Sequence, residues 1–302
     1  MAFLVRRLLA LALTVWLATL AVFVVLEVVP GDPALLMLGT EARPDTLAAL
    51  RDQLGLDRPA AVRYLDWIGG LLGGDLGVSV TYHRPVAELV ADRLAITLPL
   101  ALAALVLSTA LALPLGLLAA SRHGRAGDWA VMAFGQMGVA VPSFWFAIVL
   151  ILVFAVGLGW LPAGGFPGWS AGVGPAVTAL LLPAVALAVP GAAILARVTR
   201  AAVLDTLRED YVRTARAKGA GRRAVMLRHV LPNALVPVVT ILGLQFAFLV
   251  GGAVVVENVF RLPGLGRLVH QAVGQRDLVV VRDVVVLLAV FVVAVNLLVD
   301  VV

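Results

Sequence analysis

The 302-residue chain contains no cysteine, which excludes a disulfide framework, a thiolate metal site, iron–sulfur ligation and a cysteine nucleophile. Charge is scarce: 14% of residues are Asp, Glu, Lys or Arg, against about a quarter in soluble domains. A water-soluble domain is excluded, and 62% hydrophobic residues exclude a disordered chain. Lysine is nearly absent. Of 23 basic residues all but Lys218 are arginine, and Gly219 follows that lysine, so the phosphate-binding pattern G-x-x-x-x-G-K-[ST] cannot occur. His83, His123, His229 and His270 are scattered without an H-E-x-x-H pair, and Ser79 in Gly77-Val78-Ser79-Val80-Thr81 lacks the second glycine of a nucleophile elbow. No catalytic residue and no metal site is predicted.

What the chain has is long runs without charge. A helix crossing the hydrocarbon core needs about 20 apolar residues, and six stretches qualify. The first is Leu8 to Val29, interrupted only by Glu27 and stopped by Pro30-Gly31-Asp32-Pro33; its length favours a retained span over a cleaved signal peptide. Ala95 to Ala120 is the second. From Trp129 to Ala196 there are 68 residues without Asp, Glu, Lys or Arg. One helix of that length would be about 100 Å long, so the Gly- and Pro-rich segment Gly159 to Trp169 divides it into spans near Ala130 to Val156 and Ala176 to Ala196. Ala234 to Val256 is the fifth. The sixth begins at Leu278 or Val284 and carries Asp300 in its last turn. An all-α membrane protein of six transmembrane helices follows.

Basic residues in short loops favour the cytoplasmic side. With both termini inside, Arg6, Arg7, Arg122, Arg125 and the nine basic residues from Arg197 to Arg228 are cytoplasmic, 13 of 23. The long loop before the second span holds six basic residues against nine acids and falls outside. The net charge of +5, which would suggest nucleic acid in a soluble protein, is here a matter of topology. The division is 1–30 for the tail and first span, 31–94 for the external loop, and 95–302 for a core of five spans with a cytoplasmic loop at 197–233. The external loop is too long for a connector, and Leu65, Trp67, Ile68, Leu71 and Leu72 predict a small packed or interfacial element within it.

The cytoplasmic loop between spans four and five is the most informative segment. Leu204, Leu207, Tyr211 and Ala215 fall at helical spacing, and Glu209 stands four residues before Arg213. Gly219-Ala220-Gly221 breaks that helix, and a second basic segment from Arg222 ends at Pro232. A positively charged connector lying on anionic headgroups is one reading. A compact knob that enters a partner's groove is the other.

The stretch Tyr211-Val212-Arg213-Thr214-Ala215-Arg216-Ala217-Lys218-Gly219, followed by Arg228-His229-Val230-Leu231-Pro232, resembles the cytoplasmic loop of ABC importer membrane subunits. Their pattern is E-A-A, three residues, Gly, nine residues, I-x-L-P. Ala215, Gly219, Leu231 and Pro232 match it, whereas Arg213, Thr214 and His229 replace Glu, Ala and Ile, as is usual in the dipeptide, oligopeptide and nickel branch. Phe3 to Leu8, Leu26 to Pro33, Leu54 to Pro59, Gly74 to Gly77, Gly251 to Phe260 and Pro263 to Gly266 are similar to that branch in the same order. Relatives usually continue into a short basic tail, whereas this sequence stops at Val302.

The resemblance implies a type I ABC importer permease in a bacterial or archaeal cell membrane, carrying di- or oligopeptides. It implies a heterodimer with a homologous permease subunit, two ATPase subunits that use ATP and magnesium, an extracytoplasmic solute-binding protein, membrane lipid around the spans, no nucleic acid, and no cofactor on this chain. Tyr211, Arg213, Thr214, Ala215, Lys218, Gly219, Leu231 and Pro232 would form the element that docks on the ATPase. Glu257 is an acid near the lipid, and with Asn258, Pro263 and Gly264 it is a candidate for the pathway or gate. A proton-coupled secondary transporter is the rival, although it would want a mid-span acid or histidine, and spans two to five carry none. The same machine importing nickel or another small solute is the other alternative.

Overall fold

The computed structural model describes residues 2–28, 34–35, 43–53 and 55–301. Val29 to Pro33 and Leu54, from the quoted blocks, lie outside them, as do the side chains of Phe3, Leu4 and Asp300. Among the described residues the regular structure is helical, apart from one isolated bridge, Val78 with Pro85. It forms two units, 1–96 with 264–294 and 97–263 with 295–302.

The first unit contains α1 (Ala2–Val28), α2 (Pro44–Gln53), α3 (Ala60–Leu72), the opening turns of α4 (Val86–Ser121), α11 (Leu265–Gln275) and most of α12 (Leu278–Val301). Its core joins Val86, Leu89 and Val90 to Leu265, Leu268, Ala272, Val280 and Val284. Asp277 is buried at the start of α12. One of its carboxylate oxygens accepts from the Ser79 hydroxyl at 2.6 Å and the Thr81 N–H at 3.1 Å, which fastens the 78–85 hairpin. On α3, Trp67 points inward and donates from its indole nitrogen to Asp283 at 2.6 Å, while Leu65 and Leu72 remain exposed. Phe23 of α1 stacks near the Trp67 ring, and the Arg282 guanidinium lies 4.6 Å from its centre. A buried acid with a directed donor avoids the full cost of desolvation.

The second unit contains the rest of α4, then α5 (Ala126–Ala140), α6 (Ser143–Leu150, continued as a π-helical segment Ile151–Gly157), α7 (Val173–Thr206), α8 (Asp210–Ala217), α9 (Arg222–Val225, continued as a π-helical segment Met226–Val230) and α10 (Leu231–Val259). The centre is α7, whose most apolar stretch is mostly buried, whereas α1 leaves Leu9, Leu13, Trp16 and Val25 exposed, as lipid-facing residues should be. Alanines at 179, 184, 186, 188, 192, 193 and 196 make α7 slim enough for neighbours to approach. The approach is close at Gly138 of α5, where a Cβ would lie 2.6 Å from that of Ala193, and at Gly116 of α4, where it would lie 2.6 Å from that of Thr199.

Among the described residues five helices are long and apolar enough to cross a membrane, and the pair α5 and α6 makes a sixth span if taken together. The expected span from Ala130 to Val156 falls on that pair and is not one straight helix, being bent by 101° at Val141-Pro142. Proline has no N–H and pushes the residue before it out of the helical region; Val141 is extended, with φ −82° and ψ 121°. Pro99, Pro114, Pro183, Pro190 and Pro237 all lie inside unbroken helices. The helices also outrun the charge-free stretches that mark them, α4 having 36 residues and α7 34.

Candidate functional site

The loop expected to dock on a partner is a knob built on the ends of α4, α7 and α10. The first corrected detail is its helix. Rather than one helix through Leu204 and Ala215, α7 stops at Thr206, residues 207–209 turn, and α8 restarts at Asp210. The buried face is accordingly Val212 and Ala215, packed with Val203, Ala120, Val225, Val230 and Ala234; Tyr211 is exposed. The second is the ion pair. Arg213 meets Asp210 at 3.2 Å, not Glu209, which stands just before the first turn of α8 with an extended backbone. That pair is exposed and contributes little. Asp210 in the first turn and Arg216 in the last both oppose the helix dipole.

Gly219 ends α8. Its φ is +82°, a conformation glycine adopts freely and most residues resist. The Gly219 N–H donates to the Arg216 carbonyl at 3.0 Å and the Ala220 N–H to that of Ala215 at 3.2 Å, the paired bonds of a Schellman closure. Ala220 packs against the same apolar cluster as Ala215, which fixes the direction in which the chain leaves. From there α9 starts, and Arg222 donates to the Ser121 carbonyl at the end of α4, at 2.9 Å. The expectation that this segment ends at Pro232 is corrected as well. Helix runs on through the π segment into α10, with Pro232 in its first turn, where a missing N–H is tolerated.

Tyr211, Arg213, Thr214, Lys218 and Gly219 are therefore together on the outer surface of the knob, Ala215 faces inward, and Leu231 and Pro232 stand at the root of α10. With Arg216, Arg222, Arg223 and Arg228 also exposed, the outer surface is strongly basic. Such a surface attracts an acidic partner or anionic headgroups.

At the other end of α10, Glu257 is wholly buried, and the Thr97 hydroxyl of α4 donates to it at 2.6 Å. Asn258 returns its amide to the Val254 carbonyl at 2.7 Å. The chain then turns through Phe260 and Arg261, and the Phe260 carbonyl accepts from the Gly165 N–H at 2.7 Å, holding the Gly- and Pro-rich segment against this end of the helix. Pro263 and Gly264 follow, Gly264 lying just before α11.

One ionic site is not legible along the chain. Asp128, in the first turn of α5 and 4% exposed, accepts from Arg200 of α7 at 2.5 Å and 2.8 Å, one bond to each oxygen, and from the Gly124 N–H at 2.9 Å. Only its place at the edge of the longest charge-free run would have marked it.

Residues 112–302 match the family described as "Binding-protein-dependent transport system inner membrane component", and residues 1–101 match its N-terminal counterpart. The chain is 39% identical over 298 residues, 99% of its length and 95% of the relative's, to a "Probable peptide ABC transporter permease protein" of Sinorhizobium fredii. It is 40% identical over 299 residues, again 99% and 95%, to the "Glutathione transport system permease protein" of Escherichia coli strain K12. A "Putative peptide transport system permease protein" of Brucella suis is 41% identical over 286 residues, 92% of this chain and 89% of that one. Among solved structures, an amino acid ABC transporter covers 71% of this chain with 92% of its own, at a TM-score of 0.54 and 18% identity. That likeness concerns the fold.

Proposed function

The chain belongs to the family of binding-protein-dependent transport system inner membrane components, and on that premise we propose that it is the permease subunit of an ATP-driven importer of peptides, glutathione-like tripeptides included. The observation that carries the reading is the exposed basic knob closed by a left-handed glycine and seated on the ends of α4, α7 and α10. A partner that grips α8 thereby grips three membrane helices at once. The likeness to the peptide and glutathione permeases supports the peptide cargo.

In this reading the knob faces the cytoplasm and docks on one of two ATPase subunits, where ATP and magnesium are used. A second permease of the same kind completes the pathway, and an external binding protein delivers the solute. Tyr211, Arg213, Thr214 and Lys218 contact the ATPase, Gly219 and Ala215 hold the shape of α8, and Leu231 and Pro232 pass its movement to α10. Glu257, Asn258, Pro263 and Gly264 form the gate at the outer end of α10. The support is the bond from Thr97 to Glu257, which ties α4 to α10 inside the membrane, where an unpaired carboxylate would be costly.

The test is reconstitution in vesicles with a second permease, ATPase subunits and binding protein from the same operon. Labelled di- and tripeptides should accumulate only when ATP and the binding protein are both present. Uptake driven by a proton gradient in vesicles holding this subunit alone would overturn the reading.

A further inference from the structure

The apolar cluster beneath α8 draws residues from α4, α7, α9 and α10, and among the described residues it contains none from α5. Movement of α8 therefore reaches α5 through its neighbours, through α4, whose Ala119 packs in one cluster with Val131 of α5 and whose end at Ser121 is four residues from it, and through α7. Among the contacts that join α5 to α7, three bear on this. Val131 packs with Ala192, Leu195 and Ala196, Gly138 lies against Ala193, and the carboxylate of Asp128 receives Arg200 on both oxygens, at 2.5 Å and 2.8 Å. The first two are apolar packing without directed bonds. The third is directed. A two-pronged guanidinium–carboxylate contact fixes distance and orientation together, and the Gly124 N–H holds the same carboxylate in place from behind, at 2.9 Å. His123 stands beside it, its Nδ1 3.0 Å from Arg200 and 3.1 Å from Asp128.

Position adds to the argument. Arg200 precedes the end of α7 at Thr206 by six residues, about 9 Å of helix, and α8 begins after a three-residue turn. The clamp is thus close to where the knob would push, and α5 leads directly into the 101° bend and α6. We propose that Asp128 and Arg200 are the positioning pair that makes the bent α5–α6 segment follow α8, so that closure of the ATPases moves this segment as well as α4, α7 and α10. The inference rests on the reading of α8 as the docking element and adds the route by which its motion spreads.

The experiment uses the full reconstituted importer, with Asp128→Asn and, separately, Arg200→Lys. Two quantities are measured: peptide imported per ATP hydrolysed, and the change on ATP binding of the distance between spin labels on α5 and α8. Asn keeps the shape of Asp128 but loses the charge, and Lys keeps the charge of Arg200 but cannot reach both oxygens. Each should leave ATP hydrolysis within about twofold of the unaltered importer, lower import per ATP at least tenfold, and broaden the distance distribution, which is narrow when the clamp is whole. Should Asp128→Asn fail to enter the membrane, Arg200→Lys carries the test alone. An unchanged ratio with an unchanged distribution overturns the proposal. So does an equal fall in hydrolysis and import, which a merely structural pair would give. Failure of the unaltered importer to couple ATP to import would instead strike the reading of α8.

Discussion

Replacing Gly219 with valine isolates the contribution of the α8 closure, because a Cβ at this position meets nothing within 4 Å. The perturbation is one of backbone alone: φ is +82°, and a left-handed conformation costs an ordinary L-residue about 1–2 kcal/mol. A β-branched residue belongs at the upper end of that range or above it. At about 1.4 kcal/mol per factor of ten, the closed turn loses roughly five- to thirtyfold in population to conformations in which the bonds from Gly219 to Arg216 and from Ala220 to Ala215 are broken. On the proposed coupling role the knob would then transmit force through a loosened end, while the spans, whose packing lies elsewhere, still insert. In the reconstituted importer Gly219→Val should hydrolyse ATP with import per ATP reduced by a similar factor. Gly219→Asn is the discriminating companion, since Asn tolerates the left-handed region and should recover most of the ratio. Unimpaired import by the valine variant, or equal impairment by asparagine, would refute the reasoning.

Trp67→Phe keeps the ring beside Phe23 but removes the donor to Asp283, leaving a buried carboxylate short of a partner. A loss of about 1–3 kcal/mol is expected, seen as faster proteolysis of the 43–85 region in detergent. Gly138→Val drives side-chain atoms into Ala193, whose Cβ would be 2.6 Å away. Overpacking of this kind costs about 1–3 kcal/mol, and a lowered thermal midpoint measures it. Pro142→Ala restores an N–H and a residue about 3 kcal/mol better in a helix. Labels on α5 and near the end of the π segment after α6 should move apart as the 101° bend opens, and an unchanged distance would mean that packing, not proline, holds it.

The knob illustrates where reading along the chain stops. Leu204, Leu207, Tyr211 and Ala215 keep helical period straight across residues 207–209, where neither glycine nor proline marks a break. The chain turns there because Val203 and Val212 can then both be buried against Ala120 and Ala234, residues that a local pattern does not see. The prolines at 99, 114, 142, 183, 190 and 237 teach the same lesson. Only Pro142 breaks its span, and the others are absorbed by helices held in place by their neighbours.

What the sequence by itself determined is whatever depends on composition over a helix length: the membrane class from charge-free runs, the exclusion of a phosphate-binding loop from the single lysine, the helix–glycine–helix order of the knob, and the family from Tyr211 to Pro232. Each follows from the energy of placing a residue in lipid, water or a left-handed turn, which is nearly independent of distant residues. Tertiary structure alone decided which residues meet across long separations. Asp128 found Arg200 at 72 positions' distance, Ser79 found Asp277 at 198, and Trp67 found Asp283 at 216. In each case a buried carboxylate had to be satisfied, and only the packed helices determine which donor is near enough to do it.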